Sequence, residues 1–210
     1  MFTAVVWDCD GVLVDSEPLA DAIWARVVAD RDYTMTDEDA EACRGLNEVA
    51  TYAYFAERAD LLPFTEHMEA LDAIRVPMFE ERLAAFSDSE DTVRALAGQG
   101  IPMAVASSSR RHALDHKLAL VGLDRYFDAI AGGNEVEAAK PAPDVYLEAA
   151  RRLGVPPGRC LAVEDSENGA TAAVAAGMRV VMIRRDGSIS PNHSTVTEIT
   201  PDLILTWMGR

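Results

Sequence analysis

The chain contains three short runs of apolar residues, and each run ends at acidic or hydroxyl side chains. The runs span residues 3–7, 102–106 and 160–163 and are rich in valine and alanine. A fourth run lies at residues 180–183, and residues 203–205 are predicted to add an edge strand. Continuous apolar runs of this length indicate strands that are buried on both faces, as in a parallel sheet.

Helical patterns lie between these runs. Residues 88–98, 112–121 and 143–153 carry apolar side chains at helical spacing, and Ser166 is predicted to cap an alanine-rich helix over 169–176. Strands and helices that alternate along a chain form βαβ units with right-handed crossovers. The sequence therefore predicts an α/β fold whose core is a Rossmann-like parallel sheet.

The segment after the first predicted strand breaks this alternation. Its patterns are helical, at residues 19–29, 48–57 and 66–86. Because the helical segment from residue 16 to residue 86 is longer than a single crossover helix, the sequence predicts an inserted α-helical cap subdomain. The expected boundaries are residues 1–15 and 87–210 for the α/β core domain, and residues 16–86 for the cap.

The charge balance of the chain is strongly acidic. It has 19 basic and 35 acidic residues, a formal net charge of −16 at pH 7. Such a surface repels nucleic acid and anionic membranes, so neither is expected as a partner. It also repels phosphate esters, so a phosphate site in this chain must supply its own local positive charge.

Cysteine usage and hydropathy predict a cytoplasmic protein. Cys9, Cys43 and Cys160 form no CxxC pair, which is typical of a reducing compartment. Asp8 interrupts the first apolar run, so the N-terminal segment is not predicted to be a signal peptide. No apolar run approaches the roughly 18 residues of a membrane-spanning helix.

Polar side chains follow the predicted strands. Asp8 and Asp10 come after the first strand, residues 107–109 are three serines after the second, and Glu164 and Asp165 follow another. Each feature alone has a simpler explanation as a turn or a helix start. In an open parallel sheet, however, ligands bind at the carboxyl ends of the strands. Clustered carboxylates repel one another unless a cation is present, and oxygen ligands of this kind suit Mg²⁺.

The use of lysine adds a second observation. Of the 19 basic residues, only Lys117 and Lys140 are lysines, and all others are arginines. Lys140 opens a Lys-Pro-Ala-Pro loop, in which the prolines restrict the backbone. A compact ammonium on a stiff loop is a good partner for phosphate or for a nucleophilic carboxylate. Lys117 lies within a predicted helix and is expected to face water.

Four motifs together resemble those of a known family. Residues 8–18, DCDGVLVDSEP, are similar to the first motif of the haloacid dehalogenase superfamily, in its aspartate-nucleophile phosphatase branch. Ser107 matches the second motif, residues 140–141 the third and residues 164–166 the fourth. The motifs occur in order from Asp8 to Gly177, and the helical insertion resembles the family's small α-helical cap.

The resemblance implies roles for the acidic residues. Asp8 is expected to attack phosphorus and form an aspartyl-phosphate, and Asp10 to act as the general acid and base. Mg²⁺ is expected as the cofactor. It would be bound by Asp8, the main-chain carbonyl of Asp10 and Asp165, with Glu164 binding directly or through water.

The resemblance also implies which residues contact the phosphate ester. Ser107 and Lys140 match the family's donors to the transferring phosphoryl group, and backbone N–H groups around Cys9 and Ser108 are expected to help. Arg44 and Gly45 match the cap loop that binds substrate in the family. The predicted site is therefore completed by residues 107, 108 and 140 together with residues 44 and 45.

Three alternative functions are weighed against a phosphatase. A true dehalogenase lacks the second aspartate, so Asp10 argues against that activity. A sugar phosphomutase resembling β-phosphoglucomutase has histidine and arginine in the cap, whereas this chain has Ala20 and Glu48 there and a cap with 16 acidic and 6 basic residues. A catalytically idle binding module is the remaining alternative. The sequence favours a Mg²⁺-dependent phosphatase that acts on a small phosphorylated metabolite, either a sugar phosphate or a phosphoglycolate-like compound.

Overall fold

The computed structural model describes residues 1–43 and 46–209. In the part described, a single six-stranded parallel sheet has the strand order β3-β2-β1-β4-β5-β6. The strands are β1 (Ala4–Trp7), β2 (Met103–Ala106), β3 (Ala129–Ala131), β4 (Cys160–Glu164), β5 (Arg179–Ile183) and β6 (Thr195–Val196).

The four apolar runs form the centre of this sheet. β1 pairs with both β2 and β4, and Trp7 lies opposite Val105 on one side and Val163 on the other. All residues of β1, β2 and β4 are buried, because helices cover both faces of the sheet. This register brings the carboxyl ends of the three strands side by side. The predicted α/β class is confirmed.

Helices connect the strands of this unit. They are α5 (Ser87–Gly98), α6 (Arg111–Leu120), α7 (Asp144–Leu153), α8 (Glu167–Ala175) and α9 (Pro201–Met208), and short 3₁₀ turns lie at Asp124–Tyr126, Gly133–Glu135 and Pro157–Arg159. Ser166 caps α8 as predicted, because its side chain accepts a hydrogen bond from the Gly169 N–H.

The prediction of an edge strand at residues 203–205 is wrong. These residues lie in α9, whose N-terminus is capped by the Thr200 side chain and has a proline at the first helical position. Ile204 and Met208 are buried four residues apart on one face of this helix. A helix therefore buries the apolar side chains that a strand was expected to bury.

The inserted segment forms its own helical unit. Its helices are α1 (Glu17–Ala29), α2 (Asp37–Cys43), α3 (Glu48–Ala56) and α4 (Phe64–Arg82). Trp24 stacks on Phe55 within an apolar cluster, with ring centroids 5.4 Å apart, and the His67 ring lies 5.2 Å from the Trp24 ring. α4 ends at Arg82, four residues before the predicted end, because Leu83 is extended.

The contacts divide the chain into two compact units. One comprises Met1–Val14 and Ala85–Arg210, and the other comprises Asp15–Ala84. The divisions fall after residues 14 and 84, whereas the sequence predicted them after 15 and 86. None of the described helices combines the length and the hydropathy that a membrane crossing requires.

Candidate active site

The loop after β1 carries two of the predicted site residues. Asp8 follows Trp7 directly, and its backbone N–H donates to the Val163 carbonyl at 2.9 Å, which fixes it at the end of the sheet. Gly11 has a φ of +74°, and a Cβ atom there would lie 2.0 Å from Oδ2 of Asp165. Only glycine allows this turn while Asp165 packs against it.

Lys140 bridges two buried carboxylates. Its Nζ lies 2.6 Å from Oδ1 of Asp8 and 2.6 Å from Oε1 of Glu164, and it also donates to the Ala106 carbonyl at 3.1 Å. Burial raises the pKa of the Asp8 carboxyl to about 7 against the attraction of Lys140, and repulsion by Glu164 adds to the rise. Burial alone would lower the pKa of Lys140, but the two carboxylates outweigh it and raise that pKa.

Glu164 is the second carboxylate that contacts Lys140, and its own hydrogen bonds fix its position. Oε1 accepts from Lys140 and from the Tyr146 hydroxyl at 2.8 Å, and Oε2 accepts from the N–H groups of Asp165 and Ser166 and from the Ser166 hydroxyl, each at 3.0 Å. A Cβ atom at Gly169 would lie 1.7 Å from Oε1, so α8 approaches closely because it has glycine there. Burial alone would raise the pKa of Glu164, but Lys140 and these donors lower it.

Three carboxylates converge at this edge of the sheet. Asp8, Glu164 and Asp165 each place one oxygen so that the three oxygens lie within 4.8 Å of one another. Lys140 is the ammonium that contacts Asp8 and Glu164, so this group of four side chains carries excess negative charge. Carboxylate oxygens at such spacing fit a hard divalent cation.

Lys117 is a site residue that the sequence interpretation missed. The expectation that it faces water is wrong: it is buried, and its Nζ lies 2.5 Å from Oδ1 and 2.6 Å from Oδ2 of Asp10. Burial alone would lower the pKa of Lys117, but Asp10 outweighs it and raises that pKa. Leu114, Lys117 and Leu118 share the buried face of α6 at helical spacing, which was the signal available in the sequence.

The serines after β2 lie beside these groups. Ser107 is buried, its N–H donates to the Ala131 carbonyl at 3.1 Å, and its Oγ accepts from the Ser109 N–H at 3.1 Å. Ser109, which was not among the predicted site residues, donates its hydroxyl to Oδ2 of Asp10 at 3.0 Å. Ser108 lies between them at the same strand end. Arg44 and Gly45 lie outside the described residues.

A comparison with known protein families identifies the family to which this chain belongs. The family model for haloacid dehalogenase-like hydrolases matches residues 2–177. The chain belongs to this family. The matched segment contains both lysine–aspartate pairs and the acidic pair at the end of β4. The predicted family is thereby confirmed.

Known proteins similar to this hydrolase include phosphatases of Escherichia coli K12. The fructose-1-phosphate phosphatase YqaB is 33% identical over 190 residues, which cover 87% of this chain and 97% of that protein. Hexitol phosphatase B is 32% identical over 183 residues, which cover 86% and 82%. The crystal structure of CbbY from Rhodobacter sphaeroides in complex with phosphate has a TM-score of 0.84 and 27% identity, covering 94% of this chain and 95% of that one. The predicted enzyme class, a phosphoric monoester hydrolase, is confirmed.

Proposed function

We propose that this protein is a Mg²⁺-dependent phosphatase that hydrolyses a small phosphorylated metabolite through an aspartyl-phosphate on Asp8. The observation that carries the proposal is the contact between Asp8 and Lys140, 2.6 Å from Nζ to Oδ1, beside the carboxylates of Glu164 and Asp165. A carboxylate paired in this way is oriented as a nucleophile and has positive charge at its side. The acidic outer surface does not oppose this chemistry, because Lys140 acts locally.

The proposed reaction has two half-reactions. In the first, an oxygen of Asp8 attacks phosphorus, the ester bond between phosphorus and the leaving oxygen breaks, and Asp10 gives that oxygen a proton. In the second, a water oxygen attacks phosphorus and gives a proton to Asp10. The bond between phosphorus and Asp8 breaks, so inorganic phosphate leaves and Asp8 regains its carboxylate.

The transferring phosphoryl group spreads negative charge over its oxygens, so donors must surround it. We propose Lys140 and Ser107 as the side-chain donors, with backbone N–H groups near Cys9 and Ser108. Lys140 is held at its other contact by Glu164, which fixes the ammonium before substrate binds. Little movement is then required of these groups during the reaction.

The carboxylates also fit the proposed metal. Asp8, Asp165 and the main-chain carbonyl of Asp10 would hold Mg²⁺, with Glu164 direct or through water. When bound, the ion supplies positive charge to the phosphate oxygens. The support for this cofactor is the excess negative charge of the cluster and the oxygen spacing within 4.8 Å.

The proposed substrate class is a sugar phosphate or a phosphoglycolate-like ester. Support comes from the relatives, which are a fructose-1-phosphate phosphatase and a hexitol phosphatase. The acidic composition of the cap, 16 acidic against 6 basic residues, supports hydrolysis over mutase chemistry, since a mutase must retain a bisphosphate. Arg44 and Gly45 remain proposed substrate contacts.

The function is tested with p-nitrophenyl phosphate and Mg²⁺, followed by a screen of a few dozen phosphorylated metabolites compared by kcat/KM. We expect turnover by wild type, none by Asp8→Asn, and normal turnover by the control Asp186→Asn on an exposed loop. Equal turnover rates for wild type and Asp8→Asn would contradict the proposal that the protein is an enzyme. Conversion of β-glucose 1-phosphate to glucose 6-phosphate with a bisphosphate primer would favour the mutase.

A further inference from the structure

Lys117, Ser109 and Asp10 form a closed triangle of contacts. Lys117 Nζ contacts both carboxylate oxygens of Asp10, at 2.5 and 2.6 Å, and donates to Ser109 Oγ at 2.9 Å. The Ser109 hydroxyl in turn donates to Oδ2 of Asp10 at 3.0 Å. Because each member contacts the other two, the Asp10 carboxylate is held in both position and rotation.

Lys117 and Asp10 differ in their exposure to solvent. The Lys117 side chain is 5% exposed, whereas the Asp10 side chain is 36% exposed. The ammonium therefore reaches Asp10 from the protein interior. The exposed part of the Asp10 side chain is accessible to water.

Packing alone does not require lysine at position 117. Leu114 and Leu118 are the buried apolar neighbours of Lys117 on α6, and a methionine of similar length would fill the same space. A buried ammonium is costly unless it is paired, and replacement of a buried ion pair by apolar groups is often neutral for stability. The charge at position 117 is thus explained by Asp10 and not by the packing of the helix.

The choice of lysine also fits a carboxylate that is partly exposed. Every other basic residue except Lys140 is arginine, so lysine occurs in this chain only beside Asp8 and Asp10. An ammonium is compact and contacts both oxygens of Asp10 through a single nitrogen. A guanidinium would spread over a larger area.

We propose that Lys117, together with Ser109, is a positioning residue that holds the Asp10 carboxylate as the proton acceptor of the second half-reaction. The inference rests on the proposed function. In that step the water oxygen bonds to phosphorus, the bond from phosphorus to Asp8 breaks, and the electron pair returns to Asp8. The proton of the water goes to Asp10, whose orientation Lys117 has set.

Lys117→Met tests this role with p-nitrophenyl phosphate, whose leaving group departs without a proton. We expect kcat to fall roughly 10- to 100-fold, because the second half-reaction loses its positioned base. We expect kcat/KM to change by less than about threefold, because it reports only the first half-reaction. A burst of p-nitrophenol equal to the enzyme concentration and a phosphorylated protein detected by intact mass are the direct signatures.

Two further measurements separate positioning from a structural role. Urea unfolding of Lys117→Met is expected to show a loss of stability that leaves the variant folded under assay conditions, because the Asp10 carboxylate that loses its cation is 36% exposed and can be solvated. Turnover by Lys117→Ala is expected to rise with added propylamine and not with propanol, because only the amine restores the cation. Arg125→Met, which removes a positive charge on the short helix Asp124–Tyr126, is the matched control and should behave as wild type.

Two results would overturn the inference. One is a wild-type kcat in Lys117→Met. The other is a parallel loss of kcat, kcat/KM and stability without any accumulation of phosphorylated protein. Failure of the proposed function is distinguished by wild type itself: if wild type and Asp8→Asn turn over equally in the presence of Mg²⁺, the function is overturned and this inference with it.

Discussion

Lys140 Nζ lies 2.6 Å from Oδ1 of Asp8, although 132 residues separate the two along the chain. Lys140 lies in the loop between β3 and α7, and β3 is joined to β1 through β2 in the sheet. The same ammonium contacts Glu164, and this arrangement compensates two buried carboxylates with one cation. The position of the Lys140 ammonium therefore depends on the groups that contact Asp8 and Glu164, and each of these groups can be tested by substitution.

Tyr146→Phe tests the hydrogen bond to Glu164, the carboxylate that contacts Lys140. The Tyr146 hydroxyl donates to Oε1 of Glu164 at 2.8 Å and lies 3.4 Å from Lys140 Nζ. Its removal takes a donor from a fully buried carboxylate, so we expect a loss of about 1–3 kcal/mol in the free energy of unfolding. We also expect a lower kcat, measured with p-nitrophenyl phosphate.

The matched control for this change is Tyr126→Phe, a residue on the short helix Asp124–Tyr126. It removes the same atom outside the site, and both stability and kcat should stay close to wild type. If Tyr146→Phe were as stable and as active as this control, Glu164 would not need the hydroxyl.

Asp165→Asn tests the metal site. Chelation with EDTA should abolish turnover and Mg²⁺ should restore it, because the carboxylate cluster carries excess negative charge. Loss of one carboxylate should raise the Mg²⁺ concentration for half-maximal activity by roughly 10- to 100-fold. Mg²⁺ should also raise the Tm of wild type more than that of the variant, since a ligand that binds the folded state stabilises it. A Mg²⁺ dependence unchanged from wild type would exclude Asp165 as a ligand.

Asp39 gives the helical unit a defined pH dependence. Burial alone would raise its pKa, but hydrogen bonds from Thr36, Tyr54 and Tyr33 lower the pKa to about 2, below the usual 3.8. The folded state therefore binds its proton less tightly than the unfolded chain does. This contribution to stability is complete above the unfolded pKa and is lost as the pH falls through the folded pKa.

Asp39→Asn should accordingly be less stable than wild type near neutral pH, by about 1.5–3 kcal/mol for lost hydrogen bonds to a charged group. The difference should shrink between about pH 4 and about pH 2, as the wild-type carboxylate takes up its proton. Thermal unfolding of the two proteins across this range measures the trend. Glu38→Gln, at an exposed position of the same helix, is the control. A stability difference between wild type and Asp39→Asn that stays constant across this pH range would contradict the lowered pKa of Asp39.

The sequence predicted the centre of the sheet better than its edges. The four long apolar runs became β1, β2, β4 and β5, because a strand buried on both faces must be apolar throughout. β3 has three residues and β6 has two, too few for any periodicity to be visible. Residues 203–205 were misinterpreted because a short apolar run fits a strand or a buried helix equally, and Thr200 and Pro201 were not read as a helix start.

The candidate site shows the same division. Motifs after the strands identified Asp8, Asp10, Lys140, Glu164 and Asp165, which the structure brings together at one edge. Lys117 was missed because a charged residue in a helix was assigned to the solvent face, although its spacing from Leu114 and Leu118 is that of a buried position. Its partner follows the first strand, 107 residues away, and no local pattern connects the two.

Arg185 is a second long-range contact that no local pattern predicted. It follows β5 and donates to the carbonyls of Gly11 at 3.4 Å and Val12 at 3.2 Å, in the turn that carries Asp10. It also pairs with Asp88 at 3.0 Å, and its guanidinium lies 3.7 Å from the centre of the Phe86 ring. One planar group thus connects the turn after β1 to the start of α5.

Arg185→Lys should therefore be destabilised by about 1–3 kcal/mol in urea unfolding, although it keeps the charge. An ammonium has no planar fork, so it can neither serve both carbonyls and the Asp88 carboxylate at once nor stack on the ring in the same way. The adjacent Arg184→Lys is the matched control. Arg184 pairs with Glu167 at 3.4 Å near the surface, where such a pair contributes about 0–1 kcal/mol. Equal stability of the two variants would show that charge alone, and not the shape of Arg185, holds the turn beneath Asp10.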